Sequence, residues 1–323
     1  MADPRFDLTT LGETMLRLSV PEGERLERVE RLDVWPGGAE SNVAVAAARM
    51  GFRAAWVSRL PDSPLGRRIE RAIHAGGVDT SEVLWTGDER VGTYFIEYAP
   101  PPRRIEVVYD RKDSAAARMT PEHIPWEFLL DTRILHLTGI TAGLSPSCLA
   151  VMAEACERAQ QAGLTLSVDV NYRARLWSPS EAAEALLPLL RRATIVICGE
   201  ADAATLFGLE GEAEQVLRDL QHLTGSPSVV LTIGERGALA ITGDDQVFTQ
   251  PALPATIVDR IGAGDAFSAG VLCGLLEGSL ETGLRYGAAM SAHKLTTFGD
   301  MLCATRAEIL ELLVETQHRR PGR

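Results

Sequence analysis

The run Asp259-Arg260-Ile261-Gly262-Ala263-Gly264-Asp265-Ala266-Phe267 places a glycine-rich turn directly before a helical segment, residues 268–276. Such a turn leaves several backbone N–H groups unpaired and pointing one way, and the helix macrodipole adds partial positive charge at the same end. That is an anion site. Asp265 falls in the first helical turn, where a carboxylate beside a bound phosphate chain would orient an acceptor hydroxyl and take its proton. Phosphoryl transfer asks chiefly for such positioning and for charge neutralisation. The plainer alternative is a glycine turn with Asp265 as an ordinary N-terminal helix acid, and the run alone leaves both open. Two other phosphate motifs are excluded. Phe267 occupies the third glycine position of G-x-G-x-x-G, and no G-K-[ST] follows as a Walker A loop requires.

A second cluster, Pro36-Gly37-Gly38-Ala39-Glu40-Ser41-Asn42, leads into a helical stretch at 43–50 closed by Gly51. Two glycines before a helix let a small ligand approach the backbone closely. Asn42 offers a donor and an acceptor to sugar-like hydroxyls. A plain helix N-terminus with a polar first turn is again the competing reading.

These residues need a scaffold. Short apolar runs alternate with amphipathic helical segments: strand-like at 134–138, helical at 146–162, strand-like at 164–170, helical at 181–192, then strand-like at 194–198, 229–233 and 239–242. This rhythm predicts βαβ units around a mostly parallel sheet. Ser145-Pro146 and Ser178-Pro179-Ser180 mark helix starts and Gly163 a helix end. Two segments, about 25–35 and 91–111, break the rhythm. The second reads as a hairpin tipped by Ala99-Pro100-Pro101-Pro102-Arg103. Both are assigned to a small β-lid inserted in a single domain spanning 1–323; lids that exclude water suit phosphoryl transfer.

Bulk properties narrow the partners. The 323-residue chain carries a net charge of −12, which argues against nucleic acid, since polyanion binding needs a basic face. An acidic protein that binds anions must concentrate positive charge locally. The five cysteines (148, 156, 198, 273 and 303) include no C-x-x-C pair, which fits reduced thiols and neither a disulfide framework nor a zinc site. The first residues lack the build of a signal peptide, and no apolar run approaches the ~20 residues of a membrane span. A cytoplasmic protein without membrane partners is expected.

The Gly-Gly-Ala-Glu-Ser-Asn-Val-Ala cluster and Gly-Ala-Gly-Asp-Ala-Phe resemble, in order, the two signature motifs of the PfkB family of sugar kinases. Between them lie Gly92-Thr93-Tyr94, Tyr109-Asp110-Arg111-Lys112-Asp113-Ser114-Ala115, His136-Leu137-Thr138-Gly139-Ile140-Thr141 and Ser167-Val168-Asp169-Val170-Asn171-Tyr172-Arg173. These are more particularly similar to the 2-keto-3-deoxygluconate kinases within that family. The resemblance runs from about Leu11 to Asp300. It implies a three-layer α/β/α ribokinase-like fold and transfer of the ATP γ-phosphoryl, with Mg²⁺, to a primary hydroxyl of a sugar acid.

By the same resemblance Asp265 would be the catalytic base, and Gly262, Ala263 and Gly264 the anion hole. Thr232, Gly234 and Gly237 would form the nucleotide-binding turn. Gly38 and Asn42 would line the sugar pocket; Tyr94, Tyr109 and Arg111 would descend from the lid, Arg173 would reach in from the sheet edge, and Asp300 would close the pocket. A homodimer or larger assembly through the lid is implied as well. Independently, a carboxylate-bearing substrate in an acidic protein calls for guanidinium forks, and Arg111 and Arg173 lie in the segments that match the acid-sugar kinases. A solvated lid charge for Arg111 and an ion pair with Asp169 for Arg173 are the alternatives.

One departure stands out. The family usually carries N-x-x-E at a strand end to organise magnesium, whereas this chain has Gly199-Glu200-Ala201-Asp202. Asp202 and Glu200 are therefore the metal candidates, acting through water, since Mg²⁺ keeps several waters. Two rival functions follow: a kinase of a neutral sugar or nucleoside such as fructose or ribose, and a non-catalytic ligand-binding regulator on the same scaffold.

Overall fold

The computed structural model describes residues 3–99 and 102–318. The chain opens with β1 (Phe6–Leu11), β2 (Met15–Ser19), β3 (Asp33–Gly37), α1 (Ala39–Arg49), β4 (Ala54–Val57), β5 (Arg59–Pro61), α2 (Pro64–Ala75) and β6 (Leu84–Thr86). It continues through β7 (Thr93–Glu97), β8 (Glu106–Asp110), α3 (Trp126–Leu130), β9 (Thr132–Thr138), α4 (Gly139–Ala142), α5 (Pro146–Gln161), β10 (Thr165–Asp169), α6 (Pro179–Leu190), β11 (Ile195–Gly199) and α7 (Glu200–Phe207). It closes with α8 (Ala213–Thr224), β12 (Ser228–Thr232), β13 (Ala238–Ile241), β14 (Val247–Gln250), α9 (Ala263–Leu276), α10 (Leu280–Leu295) and α11 (Arg306–His318).

The expected βα rhythm is present because its caps and apolar runs agree. Ser145 Oγ accepts from the Cys148 amide at the start of α5, and Ser178 with Glu181 forms a capping box on α6. Gly163 ends α5 with φ of 67°. The strands order as β14-β13-β12-β11-β10-β9-β1-β4. From β12 to β4 every neighbouring pair is parallel; β13 and β14 add an antiparallel edge. One apolar core packs α1, α2, α9, α10 and α11 on one face, around Leu8, Trp56 and Ile197. A second packs α5, α6, α7 and α8 on the other, around Leu137, Val168 and Leu231. The fold is therefore three-layered, as expected.

The lid differs in its boundaries. It is a four-stranded sheet, β3-β2-β7-β8, with β7 and β8 paired as the expected antiparallel hairpin. Pro100 and Pro101 of its tip lie outside the described residues. Strand β2 was not anticipated, and residues 25–32 contribute no strand; β3 begins only at Asp33. In β2 the buried Arg17 interrupts the apolar pattern that marks a strand in sequence. Among the described residues no helix is long and apolar enough to cross a membrane.

Candidate active site

The carboxyl ends of β10, β11 and β12, the N-terminal turns of α1 and α9, and the inner face of the lid enclose one cavity of about 490 Å³. Ligand sites of open α/β sheets form at this end of the strands. The cavity takes in Gly38, Asn42, Tyr94, Tyr109, Arg111, Arg173, Asp202, Thr232, Gly262, Gly264, Asp265 and Asp300. Ala263, Gly234, Gly237 and Glu200 are not among its lining residues.

The α9 turn depends on Gly262, whose φ is 82° and whose missing side chain makes room for the Asp300 carbonyl. The Ala263 amide turns back to the Arg260 carbonyl at 3.3 Å, so Gly262 and Gly264 carry the exposed edge of the turn. Gly37, before α1, matters for a parallel reason: a side chain there would occupy the space of the Asp300 carboxylate and the Tyr94 hydroxyl.

Asp265 receives a hydrogen bond from Asn42 Nδ2 at 2.7 Å, and the Asn171 side chain also bonds to it. Burial pushes Asp265 up to about 6, while Asn42, Arg173 and Asn171 hold it back. The other Asn42 atom, Oδ1, is buried without a partner among the described residues and stands ready as an acceptor. Asn171 has a φ of 40°, a left-handed conformation uncommon for a residue with a side chain. Its value shows in the spacing. Asp169, Asn171 and Arg173 alternate along the segment leaving β10, and all three line the cavity.

Asp169 accepts from Ser268 Oγ at 3.1 Å, fastening β10 to the second turn of α9. Burial, and then the neighbouring Asp265, push its pKa up to about 7. Glu40, at 0% exposure in the first turn of α1, accepts from Thr138 Oγ1 (2.7 Å) and Thr141 Oγ1 (2.6 Å) and is raised by burial to about 7. Its Oε2 has no partner among the described residues.

On the lid side, Tyr94 donates to Asp300 and stacks on Tyr109 at 5.6 Å between ring centroids. Arg111 is held by Glu13, which also accepts from Ser114. Neither a free substrate fork nor a solvated charge describes it. Arg173 is exposed at the cavity; among the described residues it donates only to the Tyr172 carbonyl, at 3.0 Å, and forms no ion pair with Asp169. Of the three arginines lining the cavity, Arg111 pairs with Glu13 and Arg260 with Glu235; Arg173 has no ion pair among the described residues.

The two metal candidates separate. Asp202 Oδ2 accepts from the Tyr172 amide at 3.0 Å and opens on the cavity, as Asp169 does. Glu200 turns away into an ion pair with Arg236 at 2.5 Å. No group of three or more His, Cys, Asp or Glu side chains placed to hold a metal occurs among the described residues. This donor set suits an ion that keeps most of its water and binds through ligand phosphates, as Mg²⁺ does. Glu13, Asp169 and Asn171 are the site residues that sequence reasoning did not single out.

A family model described as pfkB family carbohydrate kinase matches residues 5–307. The 2-dehydro-3-deoxygalactonokinase of Haloferax volcanii is 42% identical over 308 residues, 95% of this chain and 96% of its own. The 2-dehydro-3-deoxygluconokinase of Bacillus subtilis is 31% identical, covering 98% and 99%. The crystal structure of 2-dehydro-3-deoxygluconokinase from Thermotoga maritima superposes with a TM-score of 0.90 at 31% identity, over 97% of this chain and 100% of that one.

Proposed function

The chain belongs to the PfkB family of carbohydrate kinases, and from that premise we propose that it transfers the γ-phosphoryl of ATP to a primary hydroxyl of a 2-keto-3-deoxy sugar acid. The gluconate and galactonate epimers share the chemistry that matters here, a carboxylate at one end and a primary alcohol at the other. The observation that carries the reading is Arg173, a guanidinium at the cavity with no carboxylate partner among the described residues.

In this reading the sugar lies between the lid and α1. Tyr94, Asp300 and the open Oδ1 of Asn42 take its hydroxyls. Asp265 accepts the proton of the attacking hydroxyl; at about 6 its pKa leaves it mostly ionised at neutral pH yet more basic than an ordinary aspartate. The edge formed by Gly262 and Gly264, at the positive end of α9, receives the phosphoryl oxygens. Thr232 and the turn at Gly234 and Gly237 border the nucleotide. Asp202, open on the cavity, would hold Mg²⁺ through water, and the ion when bound would supply charge neutralisation on the phosphates. Arg111, tied to Glu13, serves to anchor the lid.

The free, mostly buried cysteines agree with a cytoplasmic enzyme. The outer face of the lid carries exposed Val108 in register with half-buried Phe95 and Leu18, and through this face we expect two copies to pair. ADP release by the purified protein across both sugar acids, fructose, ribose and a nucleoside tests the proposal. Activity confined to the neutral sugars would leave a carbohydrate kinase and overturn its substrate.

A further inference from the structure

Arg17 is a fully buried arginine on β2 of the lid, away from the cavity lining. Its three nitrogens are each committed. Nη1 donates to Asp300 Oδ1 at 2.6 Å, Nη2 to Asp259 Oδ2 at 2.7 Å and Nε to Ser19 Oγ at 2.8 Å. Nη2 also donates to the Tyr98 hydroxyl; burial works against the Arg17 charge, and Asp300, Tyr98 and Asp259 together more than restore it.

Each carboxylate leads to a different part of the site. Asp300 lines the cavity and takes the Tyr94 hydroxyl on its other oxygen. Asp259 opens the glycine turn: its Oδ1 accepts from the Ile261 amide at 3.0 Å and its Oδ2 from the Gly299 amide at 3.1 Å. A second buried cation, Lys294, donates to the Asp259 carbonyl at 3.4 Å and the Thr297 carbonyl at 3.1 Å. Two cations and two carboxylates thus balance inside the protein. Breaking any one pair would strand a buried charge, so the members shift together or not at all.

We propose that Arg17 is a positioning residue that couples occupancy of the sugar end of the cavity to the geometry of the turn that receives the phosphoryl group. A sugar hydroxyl engaging Asp300 sets Arg17, Arg17 sets Asp259, and Asp259 sets Ile261 and Gly262. This rests on the reading above in one respect, that Asp300 faces the sugar. The consequence is reciprocal: sugar tightens nucleotide and nucleotide tightens sugar by the same factor.

The test is binding of a non-hydrolysable ATP analogue with Mg²⁺, measured by calorimetry with and without saturating 2-keto-3-deoxygluconate. Wild-type protein should show a ratio of roughly 5-fold or more between the two dissociation constants, the usual scale of such coupling. Arg17→Lys keeps the charge but loses the fork, and should reduce the ratio to below about 2-fold while each ligand alone still binds. Ser19→Ala removes only the Nε acceptor and should lower the ratio partway; it decides the matter if Arg17→Lys fails to fold. Independent binding in the wild type, or an undiminished ratio in the folded variants, overturns the coupling. If the wild type takes a neutral sugar in place of the acid, the substrate reading fails, and the same ratio measured with that sugar judges the coupling separately.

Discussion

Asn42 Nδ2 reaches Asp265 Oδ2 at 2.7 Å, joining the first turns of two helices whose residues stand 223 apart in sequence. The contact brings the two glycine-rich clusters into one site. It also favours the ionised form of Asp265 against the burial that raises its pKa.

Replacing Asp265 with Asn preserves the helix N-terminus and removes the proton acceptor. Turnover with the sugar acid should fall by about 100-fold or more, with KM little changed, as expected for loss of a general base. Near-wild-type turnover in a folded variant would remove Asp265 from that role.

The pH profile follows from the same carboxyl. Asp265 at about 6 must be ionised to act, and Asp169 at about 7 titrates against it, so the acidic limb of kcat/KM belongs to the pair and should lie between about 6 and 7. Activity rises with pH through that window. Asn42→Ala withdraws a hydrogen bond that lowers the Asp265 pKa, so its acidic limb should move to higher pH. A limb that moves down or stays in place would contradict the assignment.

Glu40 makes a separate prediction for stability. Its folded pKa, about 7, lies above the ordinary 4.5, so folding favours the protonated carboxyl. The stability it contributes is full below about pH 4.5, declines as pH rises and is gone above about 7, a loss of about 3 kcal/mol. The Tm of the unliganded protein should therefore drop between pH 5 and 8. Glu40→Gln, which does not titrate, should flatten that slope; parallel curves for the two proteins would mean that Glu40 titrates as an ordinary glutamate.

The metal prediction separates two acids of α7. Asp202→Ala should raise the Mg²⁺ concentration needed for half-maximal rate, whereas Glu200→Ala, which frees only Arg236, should not. If neither variant changes the magnesium dependence, the ion rests on the nucleotide phosphates alone.

How much of this was legible beforehand differs by element. The central sheet is plain in sequence, because its strands are continuous apolar runs and its helices start at Ser-Pro caps. The lid was legible as its hairpin and, within the segment 25–35, as the start of β3. Strand β2 hides behind Arg17, a charge whose partners at Asp259 and Asp300 are 242 and 283 residues away. Asp265 and Asn42 could be found because a glycine turn before a helix announces an anion site. The capture of Arg111 by Glu13 could not, because it joins residues 98 apart with no pattern linking them. Asn171 is invisible for another reason: its left-handed φ is imposed by the surrounding site, and its own type signals it only weakly.

Arg173 bears the central claim, that a guanidinium at the cavity with no carboxylate partner among the described residues selects a substrate with a carboxylate. The measurement is kcat/KM on 2-keto-3-deoxygluconate or 2-keto-3-deoxygalactonate and on a neutral sugar such as fructose, for the wild type and for Arg173→Ala. A lost hydrogen bond to a charged group is worth about 1.5–3 kcal/mol, so the variant should lose about 10-fold or more on the acid. It should lose far less on any neutral sugar that reacts. Equal losses on both, or a wild-type preference for the neutral sugar, would contradict the account.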